Sequence, residues 1–161
     1  MEEAFKHSRR IGLDSIRCFV CAPKENNPHG LHLEFLETKD GAETFFTLHE
    51  AYQSYPGFLH GGIVSSILDE TMGYVGVFRF GSLPLTRKLT ISYRRGVEAG
   101  KEHRCAAKLV ERTDVGYRAT AAISLAGRGS FALAEADFIL PTKEQASRLM
   151  PGADNWKDYF R

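Results

Sequence analysis

The segment from His60 to Phe80 constrains the fold more than any other. Ile63, Val64, Ile67, Leu68, Met72, Val75 and Phe78 recur there at helical spacings and cover most of the circumference. A helix that is apolar nearly all round has to be buried rather than laid on a surface. It is about twenty residues long, roughly 30 Å at the usual rise per residue. On both sides of it the period drops to two. Leu31, Leu33 and Phe35 share one face of a stretch that ends at Glu37, Gly41 closes a turn after Lys39 and Asp40, and a second stretch runs from Glu43 to His49. These predict a hairpin. A loop follows from Glu50 to Leu59, centred on Tyr55, Pro56 and Gly57.

Beyond the helix, Leu89, Ile91 and Tyr93 alternate with Lys88, Thr90, Ser92 and Arg94. Further strands are predicted from His103 to Arg112, Tyr117 to Ala126 and Ser130 to Leu140, where Pro141 stops the last. Gly127, Arg128 and Gly129 turn the final pair. The order is strand, strand, long helix, four strands: an α+β chain whose antiparallel sheet has one apolar face and a single long helix available to cover it. Ala106, Ala107, Ala119, Ala121, Ala122, Ala132, Ala134 and Ala136 let that helix lie close. A sheet with open edges predicts self-pairing into a homo-oligomer, a dimer or a dimer of dimers. Residues 1–17 form a polar lead-in, residues 18–141 the folded domain, and residues 142–161 a tail with a short helix and a loose end.

The 161 residues suit one domain, and 43% apolar with 25% charged residues is an ordinary globular composition. A net charge of +1 excludes a generally basic nucleic-acid binder. No apolar run approaches a membrane span, and Met1 to Arg10 is charged without an apolar signal core. Three cysteines suit a reducing compartment, so the expected location is cytoplasmic.

Chemistry concentrates between Tyr52 and Glu70. A turn at Pro56-Gly57 leads to Gly61-Gly62 at the start of the helix, where glycines admit a ligand close to the backbone. The first helical N–H groups lack intrahelical partners and carry positive potential, which suits a carbonyl oxygen gaining negative charge. Gly62, Ser66, Asp69, Gly73 and Gly76 then form a narrow stripe of small residues with one carboxylate in its middle. Close packing against a neighbouring backbone explains the glycines but does not require Asp69. Glu70 competes for the role of acid. Adjacent helical residues project about 100° apart, so only one of the two is expected to face a site.

The segment resembles the His-Gly-Gly motif of hotdog-fold acyl-CoA thioesterases of the phenylacetate-pathway and 4-hydroxybenzoyl-CoA types, which carry an acid nine positions after the histidine. The similarity extends back to Cys18-Phe19-Val20-Cys21 and Asn27-Pro28-His29-Gly30-Leu31, and forward through Leu85 to Arg95. It implies a hotdog fold, a sheet wrapped around one long helix, and hydrolysis of an acyl-CoA to free acid and coenzyme A. By resemblance, Asp69 is the catalytic acid, as general base or nucleophile. Gly61 offers the N–H that polarises the carbonyl, and His60 shapes the same loop. Gln53 and Ser54 lie where the family places an amide that orients water or the thioester, but Ser54 takes the commoner position. Gly96 departs from a frequent proline. Gly62, Ser66, Glu70, Thr86, Arg87 and Arg94 are candidate substrate contacts. Lys88, Arg95 and Arg128 join Arg87 and Arg94 as groups able to meet coenzyme A phosphates, with a solvated strand face as the plainer reading of each.

The alternative is a hotdog domain that binds acyl-CoA or another small ligand without turning it over. A hydratase or dehydratase would call for an Asp–His pairing in a different motif. No metal or other cofactor is expected. Cys18-x-x-Cys21 with His29 and His32 has tolerable zinc spacing, but it coincides with the family's entry loop, for which no metal is implied. Cys105 lies in a strand pattern and is expected in the core. Ser65 and Ser66 lack a nucleophile elbow. Phe45, Phe46, Tyr52, Tyr55 and Phe58 are candidates for an acyl pocket, with core packing explaining Phe45 and Phe46 at least as well.

Overall fold

The computed structural model describes residues 17–149. The apolar segment is one helix, α1, Gly61–Phe80. The His60 side chain caps its start by accepting the Gly62 N–H at 2.9 Å. Gly81 ends it in the left-handed conformation at φ 59°, returning its N–H to the Val77 carbonyl. Ile67, Leu68, Met72 and Val75 are completely buried, so the helix is the core of the molecule.

Around it lies a six-stranded antiparallel sheet of β1 (Leu36–Glu37), β2 (Gly41–Phe46), β5 (Leu85–Tyr93), β6 (His103–Arg112), β7 (Gly116–Leu125) and β8 (Gly129–Ile139), in the order β1-β2-β6-β7-β8-β5. β7 and β8 alternate buried and half-buried positions, as a sheet with one covered face must. Six of the eight alanines act as predicted, while Ala106 and Ala122, paired across β6 and β7, are half-buried at alternate positions that face away from the buried set. Ala107, Ala119, Ala121, Ala132, Ala134 and Ala136 are buried under the helix. The closest approach is at Gly76, where a Cβ would sit 2.6 Å from the Tyr117 hydroxyl. That hydroxyl donates to the Met72 carbonyl and accepts the Gly76 N–H. Cys105 is buried as expected.

Two local expectations need correction. Leu31, Leu33 and Phe35 are buried with the predicted alternation, yet only Leu36–Glu37 pairs in the sheet. The preceding residues give their N–H groups to a loop instead: Leu31 to the Phe19 carbonyl at 2.7 Å and Leu33 to that of Val20 at 2.9 Å. Alternation reports which side chains are buried and not what the backbone bonds to. The Glu50–Leu59 loop also has internal order, a 3-10 turn at Glu50–Tyr52 followed by a small hairpin, β3 (Gln53–Tyr55) and β4 (Phe58–Leu59). The predicted short C-terminal helix is α2, Lys143–Leu149. Almost all of the lead-in and the loose end of the tail lie outside the described residues. No described helix is long and apolar enough to cross a membrane.

Candidate active site

The candidate residues fall into two groups at opposite ends of one strip of surface. The first surrounds the start of α1. His60 occupies the cap, which commits the Gly62 N–H to its ring. The N–H of Gly61 keeps no hydrogen-bond partner among the described residues. It lies in a shallow depression with Tyr93, Arg94 and Arg95. The Ser65 hydroxyl donates to the Gly61 carbonyl at 2.9 Å, and the Tyr93 hydroxyl sits 2.6 Å from Ser65 Oγ and 3.1 Å from the same carbonyl. This Tyr93–Ser65 clamp fixes the first turn. Sequence reasoning had not given it a role, although Tyr93 closes the alternating pattern of β5. Ser66 bonds the Gly62 carbonyl one turn back.

The second group lies two turns further along α1. Asp69 Oδ1 accepts a 2.8 Å hydrogen bond from the Thr86 hydroxyl on β5. Burial raises the Asp69 pKa, and the Thr86 bond opposes the rise. Asp69 lines a cavity of about 290 Å³ whose other walls are largely apolar, including Val77, Leu83, Leu85 and Phe138. Glu70 lines the same cavity, contrary to the expectation that only one of the two acids faces a site. Gly73, Tyr74 and Val77 of α1 line the cavity with them, so it meets more than one face of the helix. Glu70 shares a 3.4 Å hydrogen bond with Cys18. Burial, with the neighbouring Cys18 adding to it, pushes the Glu70 carboxyl up to about 8. The Cys21 thiol beside Cys18 holds Cys18 down at about 5 and is itself driven upward.

The remaining candidates are placed as follows. Gln53 Oε1 accepts the Gly57 N–H at 3.0 Å and so closes the β3–β4 turn. Ser54 is exposed on that hairpin. Arg87 and Lys88 are exposed on β5, where the pairing with β8 shifts register between Thr86 and Lys88. Arg95 donates to the Arg128 carbonyl, and Arg128 pairs with Glu98. Those two arginines hold the β8 turn, leaving Arg94 as the cation beside Gly61. Of the aromatic candidates, Phe46 is core and stacks on His103, Tyr52 donates to the Gly30 carbonyl, and Tyr55 is open to solvent. None of the five lines the Asp69 cavity.

Gly61 and Asp69 are eight positions apart on a straight helix, roughly 12 Å, so the two groups do not meet within one chain. Both lie beside β5. Thr86 stands near its start with Asp69, and Tyr93 ends it with Gly61. β5 is an edge of the sheet and is exposed along most of its length.

Sequence comparison finds a likeness over little more than a third of the chain. Residues 56–115 match the thioesterase superfamily. The matched stretch holds the Pro56-Gly57 turn, α1 with Gly61 and Asp69, and β5. No curated protein matches the chain in a sequence search. Solved structures carry the same fold. A thioesterase superfamily protein superposes with a TM-score of 0.65 at 21% identity over 71% of this chain, and the chain spans 59% of that protein. The PaaI protein of the phenylacetic acid degradation operon of E. coli gives 0.61 at 18% identity over 68% of this chain and 83% of its own. A Streptococcus mutans protein bound to acetyl CoA gives 0.62 at 17% identity, covering 69% and 90% respectively. The architecture is thus that of the thioesterase superfamily structures, an antiparallel sheet with one long helix packed against it, as the sequence predicted.

Proposed function

We propose that this chain hydrolyses acyl-CoA thioesters and that its active unit is a homodimer. The reading is carried by one observation: an unpartnered N–H at the start of α1 and a carboxylate held by Thr86 lie along the same exposed edge strand. An antiparallel pairing of β5 with a second β5, centred near Leu89 and Thr90, brings Thr86 and Asp69 of one chain opposite Tyr93 and Gly61 of the other. The pairing also satisfies an edge otherwise open to aggregation.

In that arrangement the partner's Gly61 N–H donates to the thioester carbonyl, assisted by the helix dipole. Asp69 either takes a proton from an attacking water or attacks the carbonyl carbon itself. In the first case the water oxygen forms the new C–O bond, the C–S bond breaks, and the proton held by Asp69 goes to the departing thiolate. In the second the C–O bond forms to Asp69 as the C–S bond breaks, and water then cleaves the resulting anhydride, regenerating the carboxylate, releasing the acid and supplying the thiolate's proton. The acyl group occupies the apolar cavity beside Asp69. At about 290 Å³ it lies at the small end for ligand pockets, which favours compact acyl groups. Arg94 of the partner, with Arg87 and Lys88, is available to the phosphates of coenzyme A. The Streptococcus mutans structure, with acetyl CoA bound, supports this ligand class.

The test is thiol release from short, medium, long and aromatic acyl-CoAs. Asp69→Asn lowers turnover at least about a hundredfold with an unchanged circular dichroism spectrum. Tight binding of these esters without any thiol release would instead assign a ligand-binding domain. Full activity in Asp69→Asn with loss in Glu70→Gln would move the acid role to Glu70.

A further inference from the structure

We infer that Cys18, Cys21 and Glu70 form a site for one thiolate-preferring divalent cation of the zinc class. Their ligand atoms all lie within 4.8 Å of one another. Ligands sharing a tetrahedral zinc stand roughly 3.5 Å apart, given zinc–sulfur bonds of about 2.3 Å and zinc–oxygen bonds near 2.1 Å. Small side-chain rotations close that difference. The ligands come from two elements already fixed against each other. Glu70 is on α1, and the cysteine loop is tied down by the Leu31 and Leu33 bonds to Phe19 and Val20. Little ordering cost therefore remains for the ion.

The loop is also wound as a metal-binding turn requires. The N–H groups of Val20 and Cys21 both point at Cys18 Sγ, at 3.3 and 3.5 Å, and the Ala22 N–H returns to the Cys18 carbonyl at 3.2 Å. Backbone donors of this kind orient a ligating sulfur and stabilise its charge. Among the described residues no lysine, arginine or histidine forms an ion pair with Glu70 or with Asp69 beside it. The wall therefore groups two carboxyl groups and two thiols with no cationic side chain paired to either acid among the described residues.

The donor set selects the ion. Two sulfurs exclude magnesium and calcium and favour zinc-like metals. The histidines that the spacing offered are not the ligands. The His32 ring is bonded to the Ala22 carbonyl at 2.9 Å, and His29 is exposed. The carboxylate arrives from 52 residues downstream. Three protein ligands leave one position of a tetrahedral shell, and all three line the Asp69 cavity, so that position is accessible from it. The ion would pin the cysteine loop to α1 one residue from the proposed catalytic acid.

Titration of the reduced, oxygen-free protein with cobalt(II) tests the site without substrate. We expect one equivalent to produce sulfur-to-cobalt charge-transfer absorption and intense four-coordinate d–d bands, both removed by added zinc. Cys18→Ser and Cys21→Ser should each lose the charge-transfer band. Glu70→Gln, close in shape and checked for folding by circular dichroism, should bind at least about tenfold more weakly. No saturable charge-transfer band in the unaltered protein would overturn the site. Cobalt binding by Glu70→Gln as tight as that of the unaltered protein would remove Glu70 from it. The readout is spectroscopic, so either failure leaves the thioesterase reading standing, and a chain that releases no thiol leaves the metal site standing.

Discussion

Asp69 and Glu70 are neighbours in sequence with different partners, and the difference favours separate roles for them under the proposed function. Thr86 donates to Asp69 and favours its charged form, whereas Glu70 faces Cys18 and is held protonated up to about 8 by burial. Under the proposed function Asp69 is therefore the acid assigned the role of base. On that reading Thr86 positions Asp69, so Thr86→Val should lower kcat about tenfold with little change in KM. An equal fall in thiol-release rate at all substrate concentrations is the expected signature, and a pure KM effect would make Thr86 a substrate contact instead. Gly76 illustrates the packing half of the small-residue stripe. A Cβ there meets the Tyr117 hydroxyl at 2.6 Å and its ring at 2.8 Å. Gly76→Ala should cost about 1–3 kcal/mol in urea denaturation through overpacking, although alanine is the better helix former.

Among the elements, α1 carries both groups of the site, and its cap sets the geometry of the first. The His60 ring takes the Gly62 N–H and so leaves Gly61 as the free donor at the helix start. His60→Ala should cost about 1 kcal/mol of stability and also reduce turnover, since the first turn then loses its register. Thermal denaturation and thiol release on the same preparation separate the two effects. β5 is the other decisive element. It pairs with β8 on one side and with nothing described on the other. Its exposed edge is the reason for expecting a second chain.

At the level of the assembled protein, the roughly 12 Å between Gly61 and Asp69 is the observation with the sharpest consequence. If each site takes Asp69 from one chain and Gly61 from the other, inactive variants should complement. Gly61→Pro removes the donor at a helical position that tolerates proline. His60 already has the extended backbone, φ −61° and ψ 138°, that a residue before proline needs. A Cβ at Gly61 meets only the Tyr93 ring, at 3.8 Å. Gly61→Pro and Asp69→Asn should each be inactive alone. Refolded together in equal amounts they should recover about a quarter of the original activity, because half the dimers are mixed and each has one intact site. Light scattering should give a mass twice that of the chain or a multiple of it. No recovery in demonstrably mixed dimers would confine the site to one chain.

The sequence specified what depends on neighbours along the chain. The 3.6-residue period fixed α1, and the two-residue period with its glycine turns fixed β5 to β8. The His60-Gly61-Gly62 stretch marked where α1 begins, and the stripe of small residues with Asp69 in its middle lies on that helix. Tertiary structure decided whatever depends on contacts between distant residues. Periodicity could show that Leu31, Leu33 and Phe35 are buried, but not that the Leu31 and Leu33 backbone bonds to the Phe19–Val20 loop. Helical projection separated Asp69 from Glu70, but only the packing of α1 against the sheet and the cysteine loop shows one cavity lined by both. Spacing suggested histidines beside the two cysteines, whereas the fold brings a glutamate across 52 residues. Sequence pattern encodes periodicity along one element. Which side chains converge from two elements is set by how α1 and the sheet pack, and no local pattern contains that.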